Sequence, residues 1–451
     1  MKKFILLSFL FISTSIVFTS CDDDDDIKII APTMDIVEIA QANGFTSLAA
    51  ALTRAELVGA LQGSGKFTVF APTNAAFENL LSAIGQTSID DVPVEVLKQI
   101  LLYHVVQGEV PSNMVKAGNV ETLNGEDIML STTGGIKVNT ASVIKPFDVA
   151  ATNGIIHTIN EVLVPPTMFP FINSVLEPAY FNKNFTTLIA AAVKANVVSV
   201  LLDTPNLTIF APSNDAFAAS GIDITALSSE TLASVLTYHV VGTKVLASAI
   251  PANATTVNGA KLDFSLVASG NFINGNTKIV ATDIESGSGV VHVIDKVLLP
   301  PTGTIVETAV ELAKSGEFTS LVAALTRTAN EGTPAQNLIT VLSGTGPFTV
   351  FAPTNAAFKA LLDSNEAWST LNDIPLATLV AVLTYHVVPA KAYDKDIAGA
   401  LNASNQLPTA NGKAITIDLS TLKINNSATI IAVNTNASNG VIHVIDKVLL
   451  P

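Results

Sequence analysis

The stretch FTVFAPTNAAF, Phe67 to Phe77, returns as LTIFAPSNDAF at Leu207 to Phe217 and again, unchanged, at Phe348 to Phe358. The interval is about 140 residues, so whole domains repeat here, not the short turns of a solenoid. Two more blocks follow in the same order each time. One is LLYHVV ending at Val106, then LTYHVV ending at Val241 and at Val388. The other is GIIHTINEVLVPP from Gly154, GVVHVIDKVLLPP from Gly289 and GVIHVIDKVLLP from Gly440. The chain therefore divides into units at residues 33–166, 167–301 and 302–451. Pro165-Pro166 and Pro300-Pro301 close the first two, and such pairs favour extended, stiff connections, which predicts a rod of limited flexibility.

Each unit reads as mixed helix and strand. From Asp35 to Leu61, Ile36, Ile39, Ala40, Leu48, Ala51, Leu52 and Ala55 fall at helical spacings; Gly44 breaks the run and Gly63 stops it, which predicts two short helices. Phe67 to Phe70 alternates as a strand does, Pro72 ends it, and Thr73 or Asn74 is placed to cap a helix carrying Phe77, Leu80 and Leu81. The second half holds short strands separated by turn signals, among them Asn124-Gly125, Gly134-Gly135, Asn153-Gly154, Asn411-Gly412 and Asn439-Gly440. The fold class is α+β. The third unit carries extra residues around Thr328 to Asn337, a polar stretch with Gly and Pro that reads as a surface loop.

Composition narrows the function. Lys plus Arg total 23 against 38 Asp plus Glu, a formal charge of −15, the wrong sign for a nucleic-acid partner. With 49% hydrophobic and 14% charged residues the chain can bury large cores. One cysteine, Cys21, excludes disulfides within the chain, thiolate zinc sites and iron–sulfur clusters. No G-x-S-x-G, G-x-x-x-x-G-K-[ST], G-x-G-x-x-G or H-E-x-x-H occurs, and neither an enzyme activity nor a cofactor is expected.

The first 20 residues read as a signal peptide: Lys2 and Lys3 precede an apolar run from Phe4 to Phe18. The stretch Phe18-Thr19-Ser20-Cys21 resembles a bacterial lipoprotein box, with Phe18 in place of the usual Leu, and implies a lipid on Cys21. Residues 21–32 then form an acidic tether. The run Asp22 to Asp26 resembles a surface-export signal, and a solvated tether or weak calcium sponge fits it equally. No later stretch reaches the length of a membrane span, so contact with the membrane is expected through the lipid only. The expected location is the bacterial envelope, on the outer membrane facing outward, with a periplasm-facing orientation as the alternative.

All six histidines lie in the repeated blocks. His104, His239 and His386 each follow apolar residues at i−7, i−4 and i−3 (Leu97, Ile100 and Leu101 in the first unit), which places the rings on the buried stripe of a helix. Strand alternation sets His443 on the face of Val441 and Ile445, with His157 and His292 likewise. A buried imidazole needs partners for its nitrogens, and the adjacent tyrosine hydroxyl or a backbone carbonyl would serve. A core role is the expectation, and no metal site.

These three blocks together resemble the fasciclin family across about residues 33 to 451. The resemblance implies a β-wedge of about seven strands with a cap of short helices, repeated three times. It also implies a secreted or membrane-anchored adhesion protein that binds cell-surface proteins, matrix or polysaccharide. In animal members a Tyr-His region and a following Asp-Ile motif are the implied contact with integrins. The third unit alone keeps something similar, in Tyr385, His386, Tyr393, Asp394, Asp396 and Ile397, whereas the first has Pro111-Ser112-Asn113-Met114 and the second Leu246-Ala247-Ser248. The competing reading is that Asp394 and Asp396 cap the next helix and Ile397 packs. The expected function is a lipid-anchored, multivalent adhesion protein; the alternative is a structural envelope or matrix-assembly protein without a soluble ligand.

Overall fold

A computed structural model describes residues 31–63 and 65–451. The expected signal peptide, Cys21 and the acidic run lie outside the described residues.

In the first domain, Asp35 opens α1 (Ile36–Ala42) with a capping box closed by Glu38. Then come α2 (Thr46–Arg54) and α3 (Val58–Leu61). Three helices stand where two were expected, because the chain turns back at Glu56, whose φ of 57° no glycine or proline signals. Strand β1 (Phe67–Pro72) leads into α4 (Asn74–Ala83), and Thr73 is the cap, its hydroxyl accepting from the Ala76 N–H at 3.1 Å. Asn74 does something else: its side chain bonds Gly44 O at 2.9 Å and the Ser47 N–H at 3.0 Å, tying α4 to the start of α2. Helix α5 (Val94–Leu102) precedes the remaining strands: β2 (Val105–Gln107), β3 (Gly118–Glu121), β4 (Asp127–Ser131), β5 (Lys137–Val138), β6 (Ala141–Ala151) and β7 (Gly154–Ile159).

The sheet order is β2-β1-β7-β6-β5-β4-β3, with β1 and β7 parallel and every other pair antiparallel. The first and last repeated blocks, distant in sequence, are thus neighbours at the centre. The second and third domains repeat the order, pairing Thr208–Pro212 with Gly289–Ile294 and Phe348–Pro353 with Gly440–Ile445. Each domain is a seven-stranded mixed sheet with a cap of helices, an α+β architecture.

The central strands are buried on both faces. Val69, Ala71 and Ile156 pack under the helical cap, whereas Phe70 and Ile159 enter a second cluster with Tyr103, Ile128 and Val138 inside the wedge. The alternation expected for Phe67 to Phe70, and for the strand of His443, gives way to burial broken only at the half-buried Phe67 and Val444. Each fully buried Leu, Ile or Phe side chain contributes about 1.5–3 kcal/mol, so two cores per domain are a large share of its stability. The parallel pair is close at its start: a Cβ on Gly440 would lie 2.2 Å from Phe348 O, and one on Gly154 2.1 Å from Phe67 O.

The extra residues of the third domain do not form a loop throughout. They extend the counterpart of α2 to Thr319–Glu331 and add a short turn at Pro334–Gln336. Thr328, expected on the surface, is fully buried, its hydroxyl donating to Leu325 O at 2.7 Å and accepting from the Leu338 N–H at 3.2 Å.

Candidate functional site

The six histidines fall into two sets of three, and each set makes one repeated arrangement. His104, His239 and His386 end their helices. Nδ1 lies 2.7 Å from Ile100 O, 2.8 Å from Val235 O and 2.7 Å from Val382 O, respectively. Nε2 accepts the backbone N–H of Leu163 at 2.8 Å, Leu298 at 2.9 Å and Leu449 at 2.8 Å. An N–H can only donate, so Nε2 is bare and the proton sits on Nδ1. Each ring therefore staples the end of a helix to the segment leaving the closing strand. Burial drives the three imidazoles down to about 4, against a smaller upward pull from the helix carbonyl.

The second set packs against the phenylalanines of the first block: His157 lies tilted 5.8 Å from Phe70, while His292 and His443 stack at 5.5 Å on Phe210 and Phe351. Their Nε2 atoms lie 2.8 Å from Val110 O, 2.8 Å from Val245 O and 2.9 Å from Ala392 O. Burial also lowers His443. The partners are backbone carbonyls and N–H groups. The tyrosine hydroxyls, the other expected partner, cross to the neighbouring hairpin: Tyr103 donates to Asp127 O at 2.8 Å, Tyr238 to Lys261 O at 2.9 Å and Tyr385 to Ala414 O at 3.0 Å. Burial pushes Tyr238 up to about 12.

In the first domain Ser112, Asp148 and His157 meet, but in an order that activates nothing. The Asp148 carboxylate accepts from both the hydroxyl and the N–H of Ser112 and stands 3.8 Å from His157 Nδ1. The hydroxyl faces the carboxylate instead of the imidazole, so the ring is not placed to take its proton. Among the described residues no group of three or more His, Cys, Asp and Glu is placed to hold a metal ion.

The segment singled out in the third domain lies at the joint with the second. Tyr385, His386, Tyr393 and Ile397 are buried and present no side chain to a partner outside the chain. Asp396 occupies the N-cap position of helix Ile397–Ala400 without capping it. Its Oδ2 instead accepts from Ser265 Oγ of the second domain at 2.8 Å, and burial raises this carboxyl, with Asp263 and Asp394 adding to the rise. Asp394 caps nothing either: its N–H donates to Asn434 Oδ1 at 2.9 Å, while its carboxylate accepts from Asn434 Nδ2 at 2.6 Å and from Lys395 Nζ at 2.8 Å. Asp263 of the second domain accepts from Lys391 Nζ at 2.7 Å and from the Tyr393 hydroxyl at 3.1 Å. Asn434 Nδ2 also donates to Asn276 Oδ1 at 2.9 Å. Burial, with Asp263 beside it, holds the Tyr393 phenol protonated far above its ordinary value. Asp263, Ser265, Asn276 and Asn434 went unnoticed in the sequence, since bonds spanning some 130 to 158 positions leave no local spacing to read.

The sequence profile of the fasciclin domain matches residues 43–165, 183–300 and 316–451, well over half of the chain. The chain belongs to the fasciclin domain family. The fasciclin chain is similar to the transforming growth factor-beta-induced protein ig-h3 of Sus scrofa, 28% identical over 423 residues; the match takes in 92% of this chain and 57% of that protein. It thus spans little more than half the length of that relative. Over 135 residues it is 44% identical to protein sll1483 of Synechocystis, covering 30% of this chain and 74% of that one. Among solved structures it is similar to a fasciclin domain pair from the insect cell adhesion molecule fasciclin I, at 19% identity and a TM-score of 0.29. That match covers 59% of this chain and 96% of that one.

Proposed function

We propose that this fasciclin chain is a non-catalytic adhesion protein. It is held to the bacterial envelope by a lipid on Cys21 and contacts protein, matrix or polysaccharide ligands through several domains at once. The observation that carries the reading is the family domain occurring three times in tandem, with the chemically distinctive side chains of its repeated blocks turned inward. His104, His157 and their counterparts hold the fold, which leaves recognition to the surfaces between the blocks. Several weak contacts on one chain multiply through effective concentration, so affinity of the whole can exceed that of any one domain by roughly 100-fold or more.

The test is retention of polysaccharides, matrix proteins and whole cells on mature chain tethered through its N-terminus. The expected result is retention of one ligand class that weakens as domains are removed. Equal dissociation rates for one and three domains would overturn multivalency, and silence across the panel would favour the structural envelope role.

A further inference from the structure

The two joints between domains are built from different chemistry. At the first, Met168 and Phe181 are buried in the first domain's core cluster, with Phe171 and Tyr180 packed against it, their rings stacked at 3.8 Å. At the second, the bonds are polar: Asp263 to Lys391 and Tyr393, Ser265 to Asp396, and Asn276 to Asn434. Among the described residues no buried apolar cluster includes side chains of both the second and the third domain.

We propose that Lys391 to Ile397 and Asn434 form a polar latch, specific to the third copy, that fixes the third domain on the β-hairpin edge of the second. Undoing it frees the third domain while the apolar first joint holds. The inference stands independently of the adhesion reading.

Comparing the copies position by position shows that both faces are fitted to each other. Where the third has Lys391, Tyr393, Asp394, Lys395 and Asp396, the first has Glu109, Pro111, Ser112, Asn113 and Met114. The second has Lys244, Leu246, Ala247, Ser248 and Ala249. Neither other copy offers both a carboxylate and a cation at these positions. Asn434 stands where they carry Asp148 and Asp283, all three at positive φ. The two aspartates accept the N–H of Ser112 and of Ala247, as Asn434 accepts that of Asp394. Only the asparagine also has an amide to donate, and it spends both hydrogens on Asn276 and Asp394. A carboxylate there would instead face the Asp394 carboxylate and lose the amide bond to Asn276 Oδ1, leaving only the longer bond from Asn276 Nδ2 to Asn434 O at 3.3 Å.

The opposite face is fitted too. Gly275, at φ 72°, sits at the hairpin turn where the third copy has Asn426 at φ 52°. The turn itself tolerates a side chain. The joint does not: a Cβ on Gly275 would lie 2.7 Å from Tyr393 Cβ and 2.6 Å from Asn434 Nδ2.

The test therefore uses two substitutions that each install a residue another copy already carries, Asn434→Asp and Gly275→Asn. Mature chain with Cys21→Ser receives spin-label pairs at exposed sites, one pair across each joint, and inter-label distances are measured. The unaltered chain should give one narrow peak across each joint. Both variants should lose the narrow peak across the second joint and keep it across the first, with the third domain's unfolding midpoint, read from Trp368 emission, little changed. A second-joint peak that stays narrow in both variants, or that broadens together with the first, overturns the latch.

Discussion

Protonating His386 must undo two things at once: the burial of a neutral ring and the hydrogen bond from the Leu449 N–H to Nε2 at 2.8 Å, since a charged imidazole turns a second donor toward that N–H. With the ring at about 4 in the folded domain and at its ordinary 6.5 in the unfolded chain, the unfolded state binds more protons throughout that window. Stability is thus fully present above 6.5 and is lost as the pH falls toward 4. Between about pH 7.5 and about pH 5 the loss from this one ring is about 2 kcal/mol, and below both values it reaches about 3 kcal/mol. The single tryptophan, Trp368, lies in the third domain, so its emission during urea unfolding reports that domain alone. His386→Gln keeps an N–H for Val382 O and an oxygen for the Leu449 N–H but does not titrate. It should therefore remove about 2 kcal/mol of the acid-induced loss, whatever it costs at neutral pH. His443, also lowered, remains in both proteins and supplies a common residue of pH dependence. An equal loss in the two proteins would refute the assignment of His386 as a neutral staple.

Other substitutions probe the same framework. Gly440→Ala should cost about 3 kcal/mol or more, because its Cβ would overlap Phe348 O at 2.2 Å; Gly412→Ala, at φ 90° with nothing within 4 Å, should cost only about 1–2 kcal/mol. The reverse order in urea midpoints would contradict the close approach of the parallel strands. Asn439→Ala removes the acceptor of the Ile305 N–H at 2.9 Å and the donor to Leu342 O at 2.8 Å, and each group left buried and unpaired should cost about 1–3 kcal/mol. Cys21→Ser should move the protein from the membrane to the soluble fraction of cells and abolish incorporation of labelled fatty acid; unchanged fractionation would remove the lipid from the proposal.

Much of this molecule is written in short-range pattern. Three copies of FTVFAPTNAAF or its variant, the caps at Thr73, Ser213 and Thr354, and the placing of His104 on an apolar stripe all depend on residues within a few positions of one another. Local backbone sterics and the 3.6 and 2-residue periods suffice to read them. Tertiary structure decided what depends on residues far apart in the chain. Strand Gly440–Ile445 lies parallel to Phe348–Pro353 between two cores, so both its faces are buried and alternation has nothing to report. Asn439 and Asn153 read as turn residues, yet their amides are clipped to helix ends nearly 100 residues or more away. Tyr393, Asp394 and Asp396 stood out in the sequence as a departure of the third copy from the other two. Only their folded neighbours, Asp263, Ser265 and Asn434, show that this departure serves the joint, because a hydrogen bond is specified by where its partner lies in space and carries no signature along the chain.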